Sequence, residues 1–172
     1  MSNTILLTLV TGSFLLAFIL ASLAEYWAHR LMHTMPHLCP SHIEHHQLNT
    51  GQGVLGEFRD YVLPGLPFVG LICLLLWKIG LGMVGLSHAL GALFYAAFAA
   101  YSHQLQHDNP AKCAWMIMPV HYVHHQYDQW HHNFGIAVDW WDRIFATYKP
   151  VEWSSTIGKD KSNKGFLQVR WW

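Results

Sequence analysis

The stretch His121-Tyr122-Val123-His124-His125 repeats the pattern of His42-Ile43-Glu44-His45-His46. Each copy follows a His-x-x-x-His pair: His29 and His33 precede the first, His103 and His107 the second. Between the two sets lies Val62–Tyr101, forty residues in which Lys78 is the only charge. Two matching histidine sets flanking a long apolar tract decide both the fold class and the chemistry.

The apolar tract suits two membrane spans, about 62–77 and 81–101, with Lys78-Ile79-Gly80-Leu81-Gly82 as the bend. Pro64, Gly65 and Pro67 predict a kinked or re-entrant start to the first of them. Residues 5–24 are uncharged and long enough for a further span, and Glu25, Tyr26 and Trp27 mark its interfacial end. That helix is expected to run on through His33 until Pro36 and Pro40 break it. The low charge (12 % Asp, Glu, Lys and Arg) and high apolar content (52 %) agree with an integral membrane protein. The expectation is one all-α membrane domain over 1–172, with about three spans. Histidine-rich regions 25–60 and 102–150 form a cytosolic cap, followed by a mobile tail over 151–172. Within the cap, Trp115 to Tyr127 reads as helix, and Trp140 to Tyr148 as a helix lying in the interface.

Topology allows the histidine sets to meet, because an even number of spans separates them. Nine of the ten Lys and Arg fall in 25–60 or 102–172, the histidine-bearing regions and the tail, which places those regions in the cytoplasm and the N-terminus outside. Zero formal net charge and the lack of a basic block give no sign of nucleic-acid binding. Cys39, Cys73 and Cys113 are scattered, without a CxxC pair, and argue against a disulfide framework or a thiolate metal site. No cleavable signal peptide is evident.

On a helix, residues three or four apart share a face. Each motif can therefore aim two or three imidazoles one way, and neutral imidazole suits iron, zinc, copper and nickel. Ten ligands exceed the needs of one ion, whereas two ions with four or five each fit the count. Of the remaining histidines, His88 lies about 22 Å along a helix from His103 and is expected to hydrogen-bond rather than ligate; His37 sits in a turn. His131 and His132 return to the ligand face only if their helix persists. The carboxylates Glu44, Asp108 and Asp128 do not follow the Glu-x-x-His pattern of soluble di-iron bundles. They are orienting acceptors behind the ligands or solvated charges.

The motifs HRLMH, HIEHH, HQLQH and HYVHH, with Asn133-Phe134-Gly135 and Trp141-Asp142-Arg143-Ile144-Phe145-Ala146-Thr147 after them, resemble the fatty acid hydroxylase/sterol desaturase superfamily over residues 25–148. The resemblance implies a membrane non-haem di-iron oxygenase that hydroxylates or desaturates a lipid C–H bond. Its cofactors would be two Fe ions with O₂ as co-substrate, and its electrons would come from a separate donor of ferredoxin or cytochrome b5 type. It also implies that His29, His33, His42, His45, His46, His103, His107, His121, His124 and His125 are the iron ligands. Asp128, His132 and Asn133 are candidates for positions behind them, with His131 or His132 alternatively an eleventh ligand. The family usually carries Gly where Ala146 stands, and many members carry an additional N-terminal hairpin. A second copy of the chain, in a homodimer, would supply wall around a substrate channel. Rival readings are a carotenoid hydroxylase-like enzyme and, from another class, a histidine-rich membrane metal transporter.

Overall fold

A computed structural model describes residues 2–154 and 165–172. Among them there are helices and no strands. Three helices are long and apolar enough to cross a membrane: α1 (Asn3–Thr34), α3 (Val54–Lys78) and α4 (Gly82–Asp108). Between α1 and α3 lies the short helix α2 (Pro40–Leu48), and after α4 come α5 (Val120–Gln126) and α6 (Trp140–Ile144).

α1 begins where the Ser2 hydroxyl accepts a hydrogen bond from the Ile5 amide at 3.3 Å, the usual N-cap arrangement. Its 32 residues extend about 48 Å, well beyond the ~30 Å of a bilayer core. α4 is over-long in the same way, with 27 residues. The extra turns lie at the same end of the molecule, and they carry His29 and His33 on one helix and His103 and His107 on the other. α3 and α4 meet through a bend at Gly80, whose φ of 79° is one that glycine adopts without strain. α4 is the central helix: it packs against both α1 and α3, which scarcely touch each other. The approach of α1 is close because residue 91 is glycine; a Cβ there would collide with the Phe14 carbonyl.

Three local expectations change. α3 starts at Val54 and runs through Pro64 and Pro67 as a single helix, so there is no re-entrant start. The stretch 115–127 is helical only from Val120. Pro119 stands at the helix boundary, and a residue preceding proline is pushed out of helical conformation. The interfacial helix over 140–148 stops at Ile144, because Ala146 takes a φ of 55° and turns the chain back.

Of the tail expected over 151–172, residues 155–164 lie outside the described residues. Residues 165–172 return to the start of α3. The carbonyls of Arg170 and Trp171 accept from the Val54 and Leu55 amides at 3.0 and 2.9 Å. They thereby satisfy two of the four amide groups that a helix start leaves open. Val169 is buried in a core with Leu105, Val120 and Val123. Gly53 permits this docking, since a Cβ there would come within 2.9 Å of the Trp172 backbone.

Candidate metal centre

All ten motif histidines converge at the shared end of α1 and α4. His29, His33, His42 and His46 offer ring nitrogens that lie within 4.8 Å of one another, and so do His45, His103, His107 and His121. His124 joins the first group, with its Nε2 3.0 Å from that of His33 and 3.3 Å from that of His46. The ring of His125 lies against those of His45, His107 and His121 in the second, with centroids 4.5 to 4.9 Å apart, and stacks on His46 at 3.9 Å. The structure thus holds two cages of five imidazoles.

Each HxxHH motif serves both cages. His42 and His46, four apart, face the first cage, whereas His45 faces the second. On α5 the roles exchange: His121 and His125 face the second cage and His124 the first. The expectation that each motif aims all its imidazoles one way is corrected here: relative to i, position i+4 is turned about 40° one way and i+3 about 60° the other, so a single turn of helix can divide its ligands.

The contacts behind the rings determine which nitrogen points inward. Nδ1 of His29 donates to the Phe134 carbonyl at 2.6 Å, Nδ1 of His124 to the His132 carbonyl at 2.7 Å and Nδ1 of His45 to the Thr50 carbonyl at 3.0 Å. A carbonyl can only accept, so these Nδ1 atoms carry the proton and each Nε2 presents a lone pair to the cage. Nδ1 of His103 lies 2.9 Å from Glu57 Oε1, which also accepts from the Gln52 amide at 3.1 Å.

Nε2 of His33 stands 3.2, 2.9 and 3.0 Å from Nε2 of His29, His42 and His124. One imidazole proton can satisfy at most one of these three contacts, and two of the facing atoms are lone pairs. A cation at the centre would satisfy such a donor-poor cluster. With metal–nitrogen bonds of ~2.1 Å, adjacent ligand atoms are about 3.0 Å apart around an octahedral ion and about 3.4 Å around a tetrahedral one. The observed spacings fall in that range. Burial, with repulsion from neighbouring histidines, lowers His42 to about 3 and His46 to about 2. The same causes lower His45 to about 4, and burial lowers His124 to about 4. These rings are therefore neutral near pH 7, the state in which imidazole binds metal.

Loops behind the cages are braced by buried polar groups. The Gln106 side chain, between the two histidines of α4, accepts from the His121 amide at 2.9 Å and donates to the Ile136 carbonyl at 2.6 Å. Asp142, fully buried, accepts from the Phe134 amide at 2.8 Å, the Gly135 amide at 2.7 Å and the Thr147 hydroxyl at 2.7 Å. Glu25 Oε2 accepts from the Tyr95 hydroxyl at 2.6 Å, and Oε1 from the Ile136 amide at 2.8 Å.

Of the residues expected behind the ligands, His132 contributes its backbone carbonyl. Asn133 clamps the loop instead, with Oδ1 accepting from the Lys149 amide at 3.0 Å and Nδ2 donating to the Lys149 carbonyl at 2.9 Å. Asp128 is exposed, at a turn with a φ of 50°. α5 ends at Gln126, so His131 does not continue the helical face. Asp108 turns away from the cages, accepting from Gln104 and the Arg170 amide. The sequence singles out neither Glu57 nor Gln106, and it offers Glu25 only as the end of a span and Asp142 only within the motif of the resemblance. Glu25 alone left a local signal, since it sits four residues before His29 and shares its helical face.

A cavity of about 990 Å³ opens beside the cages. His29, His42, His45, His103 and His121 line its inner end, and it runs between α1 and α3 over α4 as far as His88. Its α1 wall combines Ala17, Ala21, Ala24 and Ala28 with Leu20, Glu25 and Met32, and the four small side chains leave space between the larger ones.

Comparison with known proteins agrees with this geometry. The fatty acid hydroxylase family model matches residues 14–147. The chain is 27 % identical over 150 residues to a fatty acid 2-hydroxylase of Rattus norvegicus, an alignment covering 82 % of this chain and 40 % of the relative. It therefore spans well under half the length of that protein. No solved structure matches significantly. The four histidine motifs, the three long apolar helices and the family match lead to one assignment: the chain belongs to the fatty acid hydroxylase family, within the fatty acid hydroxylase/sterol desaturase superfamily.

Proposed function

We propose that the protein is a membrane di-iron oxygenase that hydroxylates or desaturates a C–H bond of a lipid. The observation that carries this reading is the pair of five-imidazole cages at one end of a largely apolar cavity. His29, His33, His42, His46 and His124 would hold one iron, and His45, His103, His107, His121 and His125 the other. An all-nitrogen set suits several metals; the family relationship selects iron. Bound iron would supply the reduction of O₂, using two electrons and two protons, that puts one oxygen into a C–H bond and releases the other as water.

The chain's own residues do the rest. Backbone carbonyls of Thr50, His132 and Phe134 keep three ligands in the tautomer that points Nε2 inward. Glu57 holds His103, and its charge offsets part of the positive charge that two cations would bring. The alanine wall and α3 exclude water from the lipid and hold it along the membrane normal, with its reacting carbon at the histidine end. The gap between α1 and α3 admits the lipid sideways from the bilayer. The cages face the cytoplasm, where a ferredoxin or cytochrome b5 type donor brings the electrons singly.

Metal analysis and product assay test this reading together. Purified protein is expected to contain two irons per chain and to consume O₂ when given lipid and reductant. His45→Ala and His124→Ala, one from each cage, are expected to abolish iron loading and product formation. Full activity in either variant overturns the ligand assignment, and weak exchangeable binding of many metals without O₂ consumption favours transport instead.

A further inference from the structure

His88 lies on α4 at the end of the cavity remote from the metal cages. It is only 6 % exposed. Among the described residues its ring forms no hydrogen bond or ion pair, and its nitrogens are not fully enclosed by protein, as befits a residue that lines the cavity. Its neighbour Ser87 is already committed, donating to the Val10 carbonyl at 2.7 Å. The wall beside it includes Ala17, Ile72, Ala89 and Ala92, whose side chains offer neither donor nor acceptor.

An imidazole in such a place is costly unless something in the cavity completes it. Buried polar groups nearly always have a partner, and ionisable residues inside a membrane span are rare without a function. The partner must be small enough to enter between apolar walls and must itself bring a hydrogen-bonding atom. Fifteen residues of helix separate His88 from His103, about 22 Å, so an extended lipid chain can touch both ends.

We propose that His88 recognises an oxygen function at the end of the lipid remote from the carbon that is oxidised. The preferred substrate is then a bipolar lipid, with a hydroxyl or carbonyl at its deep end, rather than a simple alkyl chain. The imidazole serves either chemistry, since its N–H donates to a carbonyl and its other nitrogen accepts from a hydroxyl. His88 is a specificity-determining residue and takes no part in the oxidation. The inference rests on reading the cavity as a lipid site.

The test is binding. Full-length protein as purified, in nanodiscs under nitrogen so that no turnover occurs, is titrated with hexadecanoic acid and with 16-hydroxyhexadecanoic acid. Each displaces a fluorescent fatty acid from the cavity. The hydroxylated acid is expected to bind about tenfold more tightly. His88→Leu should erase that preference and leave the affinity for hexadecanoic acid unchanged, while His88→Gln, which keeps hydrogen-bonding groups, retains part of it. Equal affinity for the two acids in the unsubstituted protein overturns the proposal. So does a preference that survives in His88→Leu, or binding of neither acid. If His88→Leu does not fold, the comparison of the two acids on the unsubstituted protein and on His88→Gln still decides. Iron content and product formation are measured separately, so a failed oxygenase assay beside an intact preference would overturn the oxygenase and leave His88 standing.

Discussion

Ala146 holds a φ of 55°, in the left-handed region, where a Cβ costs about 1–2 kcal/mol. The resemblance described above implies glycine at that position, and the backbone supplies a reason. The turn there brings the Thr147 hydroxyl to Asp142 at 2.7 Å and to the Tyr26 hydroxyl at 2.9 Å. Those contacts hold a conformation that alanine does not prefer. Ala146→Gly relieves the strain but adds freedom to the unfolded chain. The variant is expected to gain about 0.5–1 kcal/mol net, read as a raised midpoint in thermal unfolding; a lowered midpoint would contradict the strain argument. Periodicity misleads at His131 and His132 for a comparable reason. A seven-residue spacing returns to one face only while the helix lasts, and α5 ends at Gln126.

Among the elements, α6 has the most influence for its size. Its five residues place Asp142 under the loop that carries Phe134, and Phe134 in turn accepts from His29 and packs on the rings of His33 and His124. Asp142→Ala would leave the buried Phe134 and Gly135 amides without their acceptor, while the Thr147 hydroxyl keeps Tyr26. At about 1–3 kcal/mol for each orphaned group, the expected loss is at least about 2 kcal/mol of stability. His29 would lose its brace in the same step, and metal retention during dialysis against a chelator should fall together with the unfolding midpoint. Unchanged retention in a folded Asp142→Ala protein would separate the loop from the cage. The ligand helices were readable from sequence because i, i+3 and i+4 spacing is a local property. The braces were not, because Asp142, Gln106 and Glu57 acquire their partners only when distant segments pack.

At the scale of the whole molecule, the architecture follows from length and parity. Two helices exceed the bilayer at one end, and the hairpin between them returns the second histidine set to the side of the first. The number of long apolar helices and the convergence of the motifs were therefore legible, since both depend on counting apolar residues. The cavity was not. It exists because α1 packs on α4 through Gly91 and leaves α3 apart, and no single stretch of sequence encodes a gap between two helices.

The shared use of α2 and α5 by both cages has a further consequence. An ion in the first cage would fix His42 and His46 on one helix and His124 on the other, and so set the rotation of both. That rotation would also align His45, His121 and His125 for a second ion. The ordering cost of the two helices would fall largely on whichever ion arrives first, and the second would bind to a site already assembled. Metal uptake should then be all-or-none. Native mass spectrometry during titration with substoichiometric ferrous iron is expected to find empty and doubly loaded chains, with little of the singly loaded form. A dominant one-iron species would mean that the two cages fill independently.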